Sequence, residues 1–154
     1  MSICQIFILQ WGDAGNRNNK TKGSGALSAL DIDLIMTFCS YHETYLNAEE
    51  RCNEHGAYLA DVLDQAENDF IKVVLRAVNP KDGTDYWLGA MDIDRDKEIQ
   101  WVTGKVMTFT DWKNDKEPEA QPYLHMNFDD DFRWDTKDDG NDKDNGFICK
   151  KPIA

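Results

Sequence analysis

The sequence has no run of eighteen or more apolar residues, so it offers nothing long enough to cross a bilayer as a helix. Ile3 to Leu9 is apolar but short, is broken by Gln5, and lacks a basic start and a small-residue cleavage site, so it does not read as an export signal. Basic residues are scarce. The 17 Lys and Arg stand against 29 Asp and Glu, a formal charge of -12, which repels phosphate backbones and anionic lipid surfaces and removes nucleic acid from the expected partners. No Cys-x-x-Cys pair is present, so zinc and redox chemistry have no basis in the spacing. The four cysteines at 4, 39, 52 and 149 read instead as disulfides, with three pairings open. A nucleophile motif and a phosphate-cradling glycine loop are missing too. Glu117 with Glu119, or His42, His55 and His125, therefore lack the companions an enzyme needs, and a metal-assisted hydrolase built on the acidic loops is the weakest reading.

What the chain does have is 154 residues, 41% of them hydrophobic, with five tryptophans, enough for one substantial core and one domain. Residues 1–38 carry a Gly- and Asn-rich patch between two short apolar runs, without a period of two or 3.6, and read as a poorly defined N-terminal extension before a domain at 39–154. Tyr45, Ala48 and Cys52 fall on one face of a helix that Gly56 ends. A second helix is predicted from the cap spacing of Asp64 and Glu67, with Ala66, Phe70, Val73, Val74 and Ala77 as its apolar stripe before Asn79-Pro80. Tyr86 to Ala90 reads as a buried strand, and Ile99 to Val102 with Val106 to Thr110 as a hairpin about Thr103-Gly104. Further strands are expected at Met126 and Phe128, at Arg133 to Asp135 and at Gly146 to Lys150. Two helices ahead of short, mostly antiparallel strands make an α+β domain with a long irregular loop.

The order of landmarks resembles the C-type lectin-like domain family. Cys52-x-x-x-Gly56-Ala57-x-Leu59-Ala60 comes first, then Trp87-Leu88-Gly89, Trp112 ahead of Glu117-Pro118, Trp134-Asp135 where the family has Trp-Asn-Asp, and Phe147-Ile148-Cys149. These fall at about the family's spacings over residues 41 to 151. The resemblance implies a Cys52–Cys149 disulfide joining the first helix to the last strand. The family's second disulfide is absent: its positions fall near His125 and in Lys137 to Asp139, so the long loop is expected to be less rigid. Cys4 and Cys39 are left either to pair with each other or to bond between chains. The family is usually extracellular, and its domains act as secreted recognition modules for a glycan or, without calcium, for a protein ligand; a disulfide-linked or non-covalent dimer is a further expectation.

In lectins of this family calcium and sugar share ligands. Carried over, Glu117 keeps the first, Glu119 replaces an amide with an acid, and Asp135 replaces the Asn of Trp-Asn-Asp. Thr136 stands where an aspartate is expected, and Gln121 to Leu124 contains no acid. Asp92 and Asp96 match part of an auxiliary calcium position, and Pro118 would follow Glu117 through a cis bond. Glu117, Glu119 and Asp135 offer acceptors only, whereas an amide would donate to a sugar hydroxyl. A weak or vestigial calcium site with reduced sugar binding is therefore expected. The aspartates between Asp129 and Asp144 read as a solvated acidic loop.

Overall fold

A computed structural model describes residues 4–9, 34–78, 83–118, 121–137 and 145–152. The strands are β1 (Cys4–Leu9), β2 (Leu34–Glu43), β3 (Tyr58–Leu59), β4 (Asp85–Met91), β5 (Gln100–Trp101), β6 (Tyr123–Asn127), β7 (Arg133–Lys137) and β8 (Asn145–Pro152). They form one sheet in the order β1-β2-β8-β4-β6-β7, with β3 added to β8 and β5 to β4. Only the β4–β8 pairing is parallel among the described ladders. The last of the described strands thus lies inside the sheet, and its residues 145–150 are all buried. Two helices, α1 (Tyr45–Glu54) and α2 (Gln65–Val78), complete the α+β architecture.

Helix α1 begins at Thr44, whose hydroxyl accepts from the Asn47 N–H, and it buries Tyr45, Ala48 and Cys52 as the sequence predicts. Gly56 closes it with φ +69, a left-handed conformation that only glycine adopts without cost. Tyr45 stacks edge-on to Trp87 at 5.5 Å, so the buried aromatic expected there is in place.

Helix α2 starts where expected, with Asp64 Oδ1 accepting from the Glu67 N–H at 2.9 Å, but its apolar stripe is turned. The buried face is Glu67, Asn68, Ile71, Val74 and Leu75, while Val73 is 61% exposed. Two polar residues decide the phase. Glu67 accepts from Leu63 N–H and from Lys150 Nζ (3.1 Å), and Asn68 donates to Asp111 Oδ2 and accepts from Trp134 Nε1. Lys150 also donates to Asp61 Oδ1 at 2.7 Å, giving a fully buried triad in which one ammonium joins two carboxylates from different segments.

Two other expectations are corrected. Residues 4–9 and 34–38, read as part of a poorly defined N-terminal extension, form β1 and the first half of β2, held by ladder pairs from Cys4↔Cys39 to Leu9↔Leu34. The hairpin about Thr103-Gly104 does not form: β5 pairs with β4 through Ala90↔Trp101, and Val106 is 77% exposed. The chain after Gly104 instead packs Met107 and Phe109 against the core, with Phe109 5.8 Å from the Trp134 ring. Trp134 is the centre of this region, edge-on to Trp101 at 5.6 Å and to Trp112 at 5.7 Å.

Both disulfides lie within the chain. Cys52–Cys149 is formed, and so is Cys4–Cys39, which removes the bond between chains as an alternative. No helix among the described residues is long and apolar enough to cross a membrane.

Candidate functional site

The residues predicted to bind ligand depend on how the long loop returns to the sheet. Strand β7 alternates, with Trp134 and Thr136 facing the core and Asp135 half-exposed on the other side. Asp111 fixes the start of this strand. Its carboxylate accepts from Asn68 Nδ2 (2.9 Å), pairs with Lys72 Nζ (2.6 Å) and lies 3.4 Å from Arg133 Nε, and its carbonyl accepts from Trp134 N–H. Glu117, Pro118 and Asp135 then meet in a shallow depression of about 360 Å³ that Lys113, Asn114 and Lys116 also line.

Two of the three predicted ligands are therefore brought together; Glu119 lies outside the described residues. The Glu117-Pro118 bond is not cis, since no cis peptide occurs among the described residues. The trans form is the lower for an X-Pro bond by about 0.5–1 kcal/mol. Thr136, at the position expected to hold an aspartate, is buried and its Oγ1 lies 3.4 Å from the Gln121 N–H, so it ties the loop down. Asp135 Oδ1 accepts from the Thr136 N–H at 2.8 Å.

Sequence reasoning missed the lysines. The Lys113 ammonium pairs with Asp130 at 2.9 Å, and its pKa is raised by that bond first, with a smaller contribution from Asp135. The depression thus combines carboxylate acceptors with ammonium and amide donors. The signal was present as Lys113-Asn114-Asp115-Lys116 directly before Glu117, but it falls between the landmark residues Trp112 and Glu117 and belongs to neither. For a hard dication, two described carboxylates fall short of six to eight oxygens, and two neighbouring ammonium groups oppose it.

The auxiliary acids do cluster. The carboxylates of Asp92, Asp94 and Asp96 lie within 4.8 Å of one another, and Asp94 adds to the predicted pair. Asp92 already accepts from the N–H groups of Asp96 (3.1 Å) and Lys97 (3.0 Å), which shapes the turn after β4. Its own N–H donates to Pro122 O, joining this turn to the loop that leads into β6.

His125 occupies the region of the absent disulfide. It is buried, packs edge-on to Trp87 at 6.1 Å, and its pKa is lowered to about 3 by burial first and then by Lys137 and Lys113. At 3.7 Å from Asp85 it makes no ion pair at neutral pH, because the ring is uncharged there. Asp85 accepts from the Phe128 N–H, and its pKa is raised by burial.

The profile of the Lectin C-type domain matches residues 41–151. The chain belongs to this family. It is 32% identical to lectin BRA-3 of Megabalanus rosa over 119 residues, which cover 74% of this chain and 68% of that protein. Across curated relatives the share covered ranges down to 5%, for the bovine secretory phospholipase A2 receptor. Among solved structures, the C-type lectin CEL-I of Cucumaria echinata has a TM-score of 0.70 at 17% identity, covering 88% of this chain and all of that one (100%). A calcium-independent type II antifreeze protein has a TM-score of 0.65 at 18% identity, with 79% and 88% covered. Both likenesses support the C-type lectin fold, which one of these proteins carries as a lectin and the other as an antifreeze protein.

Proposed function

We propose that the chain is a secreted carbohydrate-recognition module whose sugar site is the depression at Glu117 and Asp135, with calcium bound weakly. One observation carries the reading: these two carboxylates line the same depression as Lys113, Asn114 and Lys116. Glu117 and Asp135 accept from sugar hydroxyls, while the ammonium and amide groups donate to hydroxyl oxygens, the role that family amides would otherwise fill. Asp92, Asp94 and Asp96 are the auxiliary cation position in this reading, and Glu119 is a third ligand at the main one. With so few protein oxygens, water completes the calcium shell, and the expected affinity is on the order of 0.1–1 mM.

Calorimetry decides the reading. Monosaccharide binding should be weak and only modestly lowered by a chelator, and Lys116→Ala should weaken it further. Replacing Glu119 with Asn, Asp135 with Asn and Thr136 with Asp together should strengthen calcium-dependent binding. Tight sugar binding abolished by chelator in the unaltered chain would refute it.

A second reading, a calcium-independent protein-interaction domain on the same scaffold, is favoured by the Lys113 ammonium beside Asp130 and Asp135, which supplies positive charge where a cation would sit. The calcium-independent antifreeze protein of the same fold supports it. Absence of any sugar response alongside an unchanged melting temperature in calcium would favour this second reading.

A further inference from the structure

An apolar recess lies toward the other end of the sheet. It is a groove of about 380 Å³ over β1, β2 and β8, walled by the end of α1. Ile6, Ile35, Thr37, Tyr41 and Phe147 form its floor, and Ile6 is 67% exposed. The pleat explains the floor. On β1 and β2, Phe7, Met36 and Phe38 face the core, so Ile6, Ile35, Thr37 and Tyr41 are left on the opposite face.

Charge at this groove runs against the rest of the molecule. In a chain with 29 acids and 17 bases, the charged groups at its rim among the described residues are Arg51, His55 and Lys151, and no described carboxylate lines it. The three converge because α1 ends here: Arg51 is in its last turn, His55 is its C-cap, and Lys151 Nζ comes within 3.5 Å of the position a Cβ on Gly56 would take. Arg51 is shared with Glu54 at 3.6 Å but stays half exposed. Basic groups at a helix C-terminus complement its dipole, yet that alone gives no reason for the apolar floor beside them. An apolar body with an anionic end matches both features.

We propose that this groove is a second binding site, for a free single-chain amphiphile with an anionic head, its alkyl part on Ile6, Ile35 and Tyr41 and its carboxylate against Arg51 and Lys151. Because β1 and β7 are opposite ends of the sheet, the site is separate from Glu117 and Asp135, and occupancy of one should leave the other unchanged.

Octanoate, monomeric in solution, is the probe, with octylammonium as the charge control and the full chain as the sample. Isoleucine methyl NMR should show saturable shifts at Ile6 and Ile35, and calorimetry should give octanoate at least a tenfold advantage over octylammonium. Arg51→Glu with Lys151→Glu, both exposed positions, should remove that advantage. Thr37→Trp should fill the groove and abolish the methyl shifts with the rim charges intact; if it does not fold, the charge-reversal pair carries the test. Equal binding of the two probes would overturn the proposal. So would octanoate binding that survives charge reversal while the melting temperature falls, since the rim would then serve only the helix end. Shifts that appear only with anionic vesicles and not with free octanoate would also overturn it.

Discussion

Lys150 holds its ammonium where water does not reach, and the two carboxylates that surround it are equally buried. Removing one member of such a group leaves uncompensated charge, so Lys150→Met should lower stability by about 3–5 kcal/mol in urea unfolding. Replacing Asp61, Glu67 and Lys150 together by apolar residues should cost much less. His125 gives a prediction with pH. Its folded pKa, lowered to about 3, lies below the ordinary 6.5, so the unfolded chain takes up the proton first as pH falls. Its contribution is full above pH 6.5 and is lost progressively on the way to pH 3, at up to about 1.4 kcal/mol per pH unit. Asp85 acts in the opposite sense, because its raised pKa favours the folded state once pH drops below that value. His125→Leu should therefore flatten the stability profile between pH 6.5 and 4, measured by urea titration at each pH. Neither residue was legible as a structural group in the sequence. Glu67 reads as a helix-cap acid and His125 as a landmark lost, because Lys150 lies 83 residues from Glu67 and the groups that bury His125 come from other strands, so neither leaves a local pattern.

Among the elements, α1 was readable because its buried face and its closing glycine lie within a dozen residues, whereas its cap at Thr44 was not read. Helix α2 was readable in position but not in phase. The choice between Val73 and Glu67 for the inner face depends on Lys150 and Trp134, which only the folded chain brings near. The false hairpin has a similar cause, since Phe109 packs on Trp134, a partner that only the folded chain brings near. Asp111 links α2 to β7, and Asp111→Ala should cost about 1–3 kcal/mol by leaving the half-buried Lys72 and buried Asn68 donors unmet. Weaker sugar binding should accompany that loss, because Asp135 sits one residue beyond Trp134 on the strand that Asp111 anchors. Gly89 is a sharper test of element contact. A Cβ there would fall 2.1 Å from the Leu59 carbonyl oxygen, between β4 and β3, so Gly89→Ala should prevent native packing and show as loss of near-ultraviolet dichroism.

At the scale of the whole molecule, the landmarks carried the family, the fold class and the Cys52–Cys149 bond, because aromatic anchors and cysteines keep their order when loops vary. The candidate site was legible only in part: the acids Glu117 and Asp135 could be named, but not the lysines that share their depression. Cys52–Cys149 spans a separation of 97 residues, and replacing both with Ala should cost about 4–5 kcal/mol in the chain-entropy model, read from thermal or urea unfolding. Under mild reductant Cys4–Cys39 should open first, since Cys4 is exposed whereas Cys52 is fully buried; timed alkylation and peptide mapping would show the order. The position of β8 also has a consequence for biosynthesis. Strand β8 joins β2 to β4, so on the ribosome neither half of the sheet can be bridged to the other until Asn145 to Pro152 has left the exit tunnel. Until that moment α1, α2 and the tryptophans wait with their apolar faces uncovered. Any chain released before β8 has joined them therefore leaves those faces open to aggregation.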